Sequence, residues 1–314
     1  MTENSKIAVY AAAGGNLAIA AAKFTAFAFT GSSALLTEGI HSVVDTGNQG
    51  LLLLGLHRAA KPPDAAHPFG HGMELYFWSF VVALMIFALG GAFSVYEGFI
   101  KINNPEAISR PWINYLVLGV AILFEAASLT IAVREHRRRQ TRGGFLESVR
   151  RSKDPSLFAV LLEDSAALIG LFIALVGVAA ADMLHMPKAD GLASIGIGLL
   201  LTAVAVFMAN ETRSLLTGEA AAPAVVADIR RILEGDSRVA RVIEVLSLHF
   251  GPNEVLVGVT IDFRDDLPGG EVEDAAEQLS RRIQEAHPDV TRLFLRPGRD
   301  GKRNIRALPP DRVN

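Results

Sequence analysis

The chain has 314 residues, half of them hydrophobic and a fifth charged, with a net charge of −3 and no cysteine. Apolar content of this kind, gathered into uncharged runs of about 20 residues, excludes an ordinary soluble domain and points to a polytopic membrane protein. The near-neutral charge speaks against a nucleic-acid partner, and the lack of thiols excludes disulfides and thiolate metal sites.

A helix rising about 1.5 Å per residue crosses a hydrocarbon layer of about 30 Å in roughly 20 residues. On that basis six transmembrane helices are predicted, at residues 6–29, 33–58, 73–101, 112–136, 156–182 and 187–210. The opening stretch MTENSKIAVYAAAGG lacks a basic region, a short apolar core and a cleavage site, so it reads as a short tail entering the first span. The link from Arg134 to Lys153, REHRRRQTRGGFLESVRRSK, is rich in arginine. Short basic links stay in the cytoplasm, so both termini are expected there too. The Ala-rich composition, with no transit peptide, suggests a cell (inner) membrane.

The second span, SALLTEGIHSVVDTGNQGLL, carries Glu38, His41, Asp45 and Asn48. His41 and Asp45 are four apart and share a helix face. Residues 157–177 of the fifth span, LFAVLLEDSAALIGLFIALVG, are apolar except for Glu163, Asp164 and Ser165. Ionisable groups at the bilayer centre cost roughly 2.5–3.5 kcal/mol each on insertion scales, so they are rarely there without a role. Facing acids on two helices repel unless protons or a cation lie between them. A divalent metal answers this, because imidazole and carboxylate donors suit zinc, iron or manganese. Asn16, Lys23 and Glu97 fit the plainer role of helix–helix hydrogen-bond partners. Glu125, deep in the fourth span, reads as a proton-relay or packing residue.

Between the second and third spans, PDAAHPFGHGMEL places Asp64, His67 and His71 within eight residues. The spacing suits a metal-binding loop, and equally a Pro/Gly turn that happens to contain histidines. Beyond Glu211 the pattern becomes that of a soluble unit at residues 212–298, with elements in the order α-β-β-α-β, a two-layer α+β arrangement. Residues 299–314 read as a disordered tail.

Taken together, TEGIHSVVDTGNQGLLLLG, the DAAHPFGHG loop, DPSLFAVLLEDSAALIG and the C-terminal α+β unit resemble the cation diffusion facilitator family, in the branch that includes human zinc transporter nine. The resemblance implies efflux of a divalent cation, zinc first, with iron and manganese as alternatives, in exchange for protons. It implies no prosthetic group, a lipid-embedded homodimer and a ferredoxin-like cytoplasmic domain. It places metal ligands at His41, Asp45 and Asp164, and a loop site at Asp64, His67 and His71. The family's remaining fifth-span ligand falls on Val160, which cannot ligate; Glu163 is the favoured substitute, with Glu38, Asn48 or water as alternatives. His249 and His287 are too few for a histidine-rich dinuclear site in the cytoplasmic domain. Two rival readings are a non-transporting metal sensor or partner subunit and an intramembrane metal-dependent enzyme; the chain has no H-E-x-x-H or G-x-S-x-G motif to support the second.

Overall fold

The computed structural model describes residues 3–105, 110–139, 153 and 155–299, without the side chains of 3–15, 135–139, 156 and 157. The tail expected beyond 299 and most of the basic link fall outside the described residues. The chain divides into two compact units, Met1–Thr217 and Gly218–Asn314.

The first unit is helical. Its long helices are α1 (Glu3–Thr30), α2 (Ser33–Ala59), α3 (Met73–Asn103), α4 (Pro111–Arg139), α5 (Pro155–Met183) and α6 (Lys188–Thr217). All of α3 and α6, Pro111–Arg134 of α4 and Phe158–Met183 of α5 are long and apolar enough to cross a membrane. Helices suit that setting because they satisfy every backbone polar group internally. Asn16–Thr30 is a shorter apolar stretch of α1. The outward face is greasy: Leu123, Ile131, Val176 and Leu199 are all largely exposed. The inside of the bundle closes over Leu35, Tyr76, Phe158, Leu161, Ile197 and Met208. The last helix runs seven residues past the predicted 210. Hydropathy marks where the apolar stretch ends, whereas Glu211, Thr212 and Arg213 can all continue a helix.

Two features set the packing. Gly31, at φ +71°, turns the chain between α1 and α2, where a side chain would be strained. Along α3 and α6 the backbones nearly touch: a Cβ on Gly98 would lie 2.5 Å from the carbonyl oxygen of Gly191. The same holds one heptad away, where a Cβ on Gly198 would lie 2.7 Å from the oxygen of Gly91. Small residues let helices approach closely enough for van der Waals packing to hold them without a hydrophobic driving force. A π-helical stretch, Ile86–Ala92, interrupts α3 at this contact.

The second unit contains α7 (Pro223–Glu234), β1 (Val239–Gly251), β2 (Glu254–Phe263), α8 (Gly269–Ala286) and β3 (Val290–Pro297). Among the described residues its sheet has three strands in the order β1-β2-β3, with β1–β2 antiparallel and β2–β3 parallel. Alternate residues Val255, Val257, Val259 and Ile261 of β2 are buried, the period of two that a one-sided sheet requires. Ile229 and Leu233 of α7, and Ala275, Leu279 and Ile283 of α8, cover that face at helical spacing.

Candidate metal site

The inner face of α2 is polar. Thr37, Glu38, His41, Ser42, Asp45 and Asn48 are all buried, recurring every three or four residues, so one stripe of the helix carries them. His41 Nδ1 lies 3.4 Å from Asp45 Oδ1. Neither ring nitrogen of His41 makes a hydrogen bond, nor does Asp45 Oδ1, although His41 is only 2% exposed. Buried polar atoms are nearly always bonded, so unpaired groups of this kind mark a candidate ligand site.

On α5, Glu163 and Asp164 are consecutive and therefore point about 100° apart. That rotation sends them to different neighbours. Glu163 Oε1 accepts a hydrogen bond of 3.1 Å from Asn48 Nδ2 on α2. Asp164 Oδ2 accepts one of 2.9 Å from Ser128 on α4. The acid expected beside His41 thus bonds to α4, while its neighbour Glu163 is the one tied to α2. Asp45 nonetheless interacts electrostatically with Glu163, Glu125 and Asp164, so the carboxylates of three helices share one region. Val160 is half-buried and offers no donor.

Two anchors flank this region, one of them the helix–helix partner expected at Lys23 and the other not foreshadowed in the sequence. Lys23 of α1, fully buried, donates to Glu38 Oε2 at 3.0 Å, to Glu38 O at 3.3 Å and to Ser42 Oγ at 2.9 Å. Its three ammonium protons are thereby used. At the N-terminus of α2, Asp190 of α6 accepts from Ser33 N at 2.7 Å, Ser32 Oγ at 2.6 Å and Ser33 Oγ at 3.0 Å. A carboxylate there answers both the orphan amides and the helix dipole. Nothing local signals this: Asp190 and Ser33 are 157 residues apart.

In the loop after α2, Asp64, His67 and His71 offer ligand atoms that all lie within 4.8 Å of one another. Asp64 and His67 are exposed and His71 half-buried. Asp64 Oδ1 accepts from the backbone amides of His67 at 2.7 Å and Ala66 at 2.9 Å. Its Oδ2 is 3.1 Å from His71 Nε2. The His67 amide first, then His71, hold the Asp64 carboxyl down at about 2, ionised at any working pH. Gly70, at φ +96°, makes the turn that returns His71 to Asp64. Among the described residues this is the group of three or more His and carboxylate donors drawn that close together. The membrane donors are spread more widely, as the pairs His41–Asp45, Asn48–Glu163 and Ser128–Asp164.

In the second unit, His287 Nε2 lies 2.9 Å from Asp228 Oδ2, and His249 Nδ1 is 3.4 Å from the oxygen of Gly251.

The cation efflux transmembrane domain matches residues 9–217 of the chain. The chain is 34% identical over 243 residues to the human proton-coupled zinc antiporter SLC30A9, mitochondrial, covering 77% of this chain but only 43% of that protein. It is 31% identical over 267 residues to metal tolerance protein C4 of Arabidopsis thaliana, covering 84% of this chain and 58% of the relative. The manganese efflux system protein MneS of Bacillus subtilis is 26% identical over 274 residues, 85% of this chain and 86% of its own length.

Proposed function

This chain belongs to the cation efflux transmembrane family, a family of transporters rather than enzymes, and on that premise we propose that it exports a divalent metal cation from the cytoplasm in exchange for protons. The observation that carries the reading is the bare imidazole of His41 beside the Asp45 carboxylate, buried on the α2 face that Glu163 meets. Zinc is the first cargo to test, because the human and plant relatives are a zinc antiporter and a metal tolerance protein; manganese follows from the bacterial one. Iron shares the same donor preferences.

In this reading α1 to α6 are the six spans, residues 1–211 form the transport domain, and residues 212–298 form a ferredoxin-like domain that dimerises. Both termini face the cytoplasm of a cell with the protein in its inner membrane. Asp64, His67 and His71 collect the ion at the cytoplasmic mouth. The ion then passes to His41 and Asp45 on α2, joined by Asp164 and Glu163 on α5. Metal ligands must be deprotonated, so binding releases protons and reprotonation on the far side frees the ion. The donors are spread in pairs, so loading requires α2 and α5 to shift until all lie about 2.0–2.2 Å from the ion. That shift is the step that couples binding to the change of access.

The test is uptake of zinc or manganese into everted vesicles carrying the protein, with and without a pH gradient. Asp45→Ala is expected to abolish both the metal flux and the linked proton movement while the protein still elutes as a folded species. Unchanged flux in that variant overturns the reading.

A further inference from the structure

Glu125 is the one acid in the Pro111–Arg134 stretch of α4 and is 6% exposed. Among the described residues it makes no hydrogen bond and no ion pair. The charged groups it feels are Lys23 of α1, Asp164 of α5 and Glu38 of α2, and it acts in turn on Asp45 of α2. Lys23 is not its counter-ion, because the three protons of that ammonium go to Glu38 and Ser42. Ser128 lies three residues after Glu125, on the same helix face, and donates to Asp164. That bond fixes which side of α4 turns toward α5, and Glu125 is on that side. The second mark of a ligand is on α2: His41, 2% exposed, has both ring nitrogens unbonded beside Asp45, the carboxylate on which Glu125 acts.

We propose that Glu125 is a cation-binding residue of the membrane site, with α4 supplying the carboxylate donor that Val160 of α5 cannot. The proposal rests on the efflux reading above and deepens it. The cargo shell is then one imidazole nitrogen from His41 against carboxylate oxygens from Asp45, Asp164, Glu163 and Glu125. Oxygen-rich shells suit Mn²⁺, whereas nitrogen donors favour Zn²⁺, so the third helix tilts selectivity toward the harder ion. Because Ser128 ties Asp164 to α4, α4 and α5 close on the ion together.

The experiment uses the full chain in detergent, with Asp64, His67 and His71 replaced by alanine so that the loop binds nothing. Mn²⁺ and Zn²⁺ are titrated separately into this background and into the same background carrying Glu125→Gln, Glu125→Asp or Asp45→Ala. The expected result is a loss of at least tenfold in Mn²⁺ affinity for Glu125→Gln, a smaller loss for Zn²⁺, and partial recovery with Glu125→Asp. Should Glu125→Gln not fold, Ser128→Ala replaces it, and a drop in Mn²⁺ relative to Zn²⁺ affinity is again expected. A variant at position 125 or 128 that is folded and binds both ions as the background does overturns the inference. Asp45→Ala separates the two claims: if it abolishes binding while Glu125→Gln does not, the efflux reading stands and only the role of α4 fails.

Discussion

The ammonium of Lys23 stands 3.0 Å from Glu38 Oε2, with both side chains buried. The pair joins α1 to α2 one turn from His41, and the fit is tight. A Cβ on Gly170 of α5 would come within 2.6 Å of Glu38 Oε1. Three helices are thus registered against one another immediately beside the candidate cargo site.

Replacing Lys23 alone by methionine strands a buried carboxylate. Breaking a buried pair by removing one partner costs about 3–5 kcal/mol. Lys23→Met should therefore lower the melting temperature in detergent clearly, and Lys23→Met with Glu38→Met should recover most of it. Equal melting of the single variant and the parent would show the pair to be unimportant for stability.

Asp190→Ala removes the acceptor for the Ser33 amide and two serine hydroxyls. Each buried group left unsatisfied costs about 1–3 kcal/mol. Faster hydrogen exchange at the start of α2, around Ser33 to Leu36, is the expected signature, and exchange at the parent rate would remove the anchor from the account.

Val160 sits one turn before Asp164, where an imidazole could join Asp164 in the shell proposed above. Val160→His should move the preference toward zinc by roughly tenfold, equivalent to about 1.4 kcal/mol of added zinc binding. Competition between zinc and manganese for uptake measures it; an unaltered ratio places residue 160 outside the shell.

His71→Ala opens the loop cluster, whose other members are Asp64 and His67. If the loop only gathers ions, transport should fall at low metal concentration and recover at saturating metal. That pattern is a raised KM with kcat kept. A fall in kcat instead would put the loop within the transport step.

In the second unit, Arg238 holds the Asp236 carboxyl down to about 2 through side-chain and backbone hydrogen bonds. A depressed folded-state value means the stabilisation is fully present above the unfolded value of 3.8 and is lost as pH falls through about 2. Asp236→Asn should accelerate amide exchange in β1 at pH 5, and the difference from the parent should shrink as pH falls and vanish below about 2. A difference that persists at the acid end would point to another cause.

The positions of the helices, and the candidate donors as residue types at fixed spacings, were legible in the order of residues alone. Apolar runs, the four-residue step from His41 to Asp45 and the Asp64–His71 loop are local features, governed by rise per residue, helical periodicity and turn chemistry. The six long helices lie within a few residues of their predicted positions except at the end of α6, and the α-β-β-α-β order of the second unit is also local. Which donors meet could not be read that way, because it depends on how each helix is rotated about its axis and which helix packs beside it. Adjacent positions 163 and 164 diverge by about 100°, so the tertiary arrangement alone sent Glu163 to Asn48 and Asp164 to Ser128. It alone likewise placed Lys23 on Glu38, Asp190 at the head of α2 and Glu125 among the acids of α2 and α5.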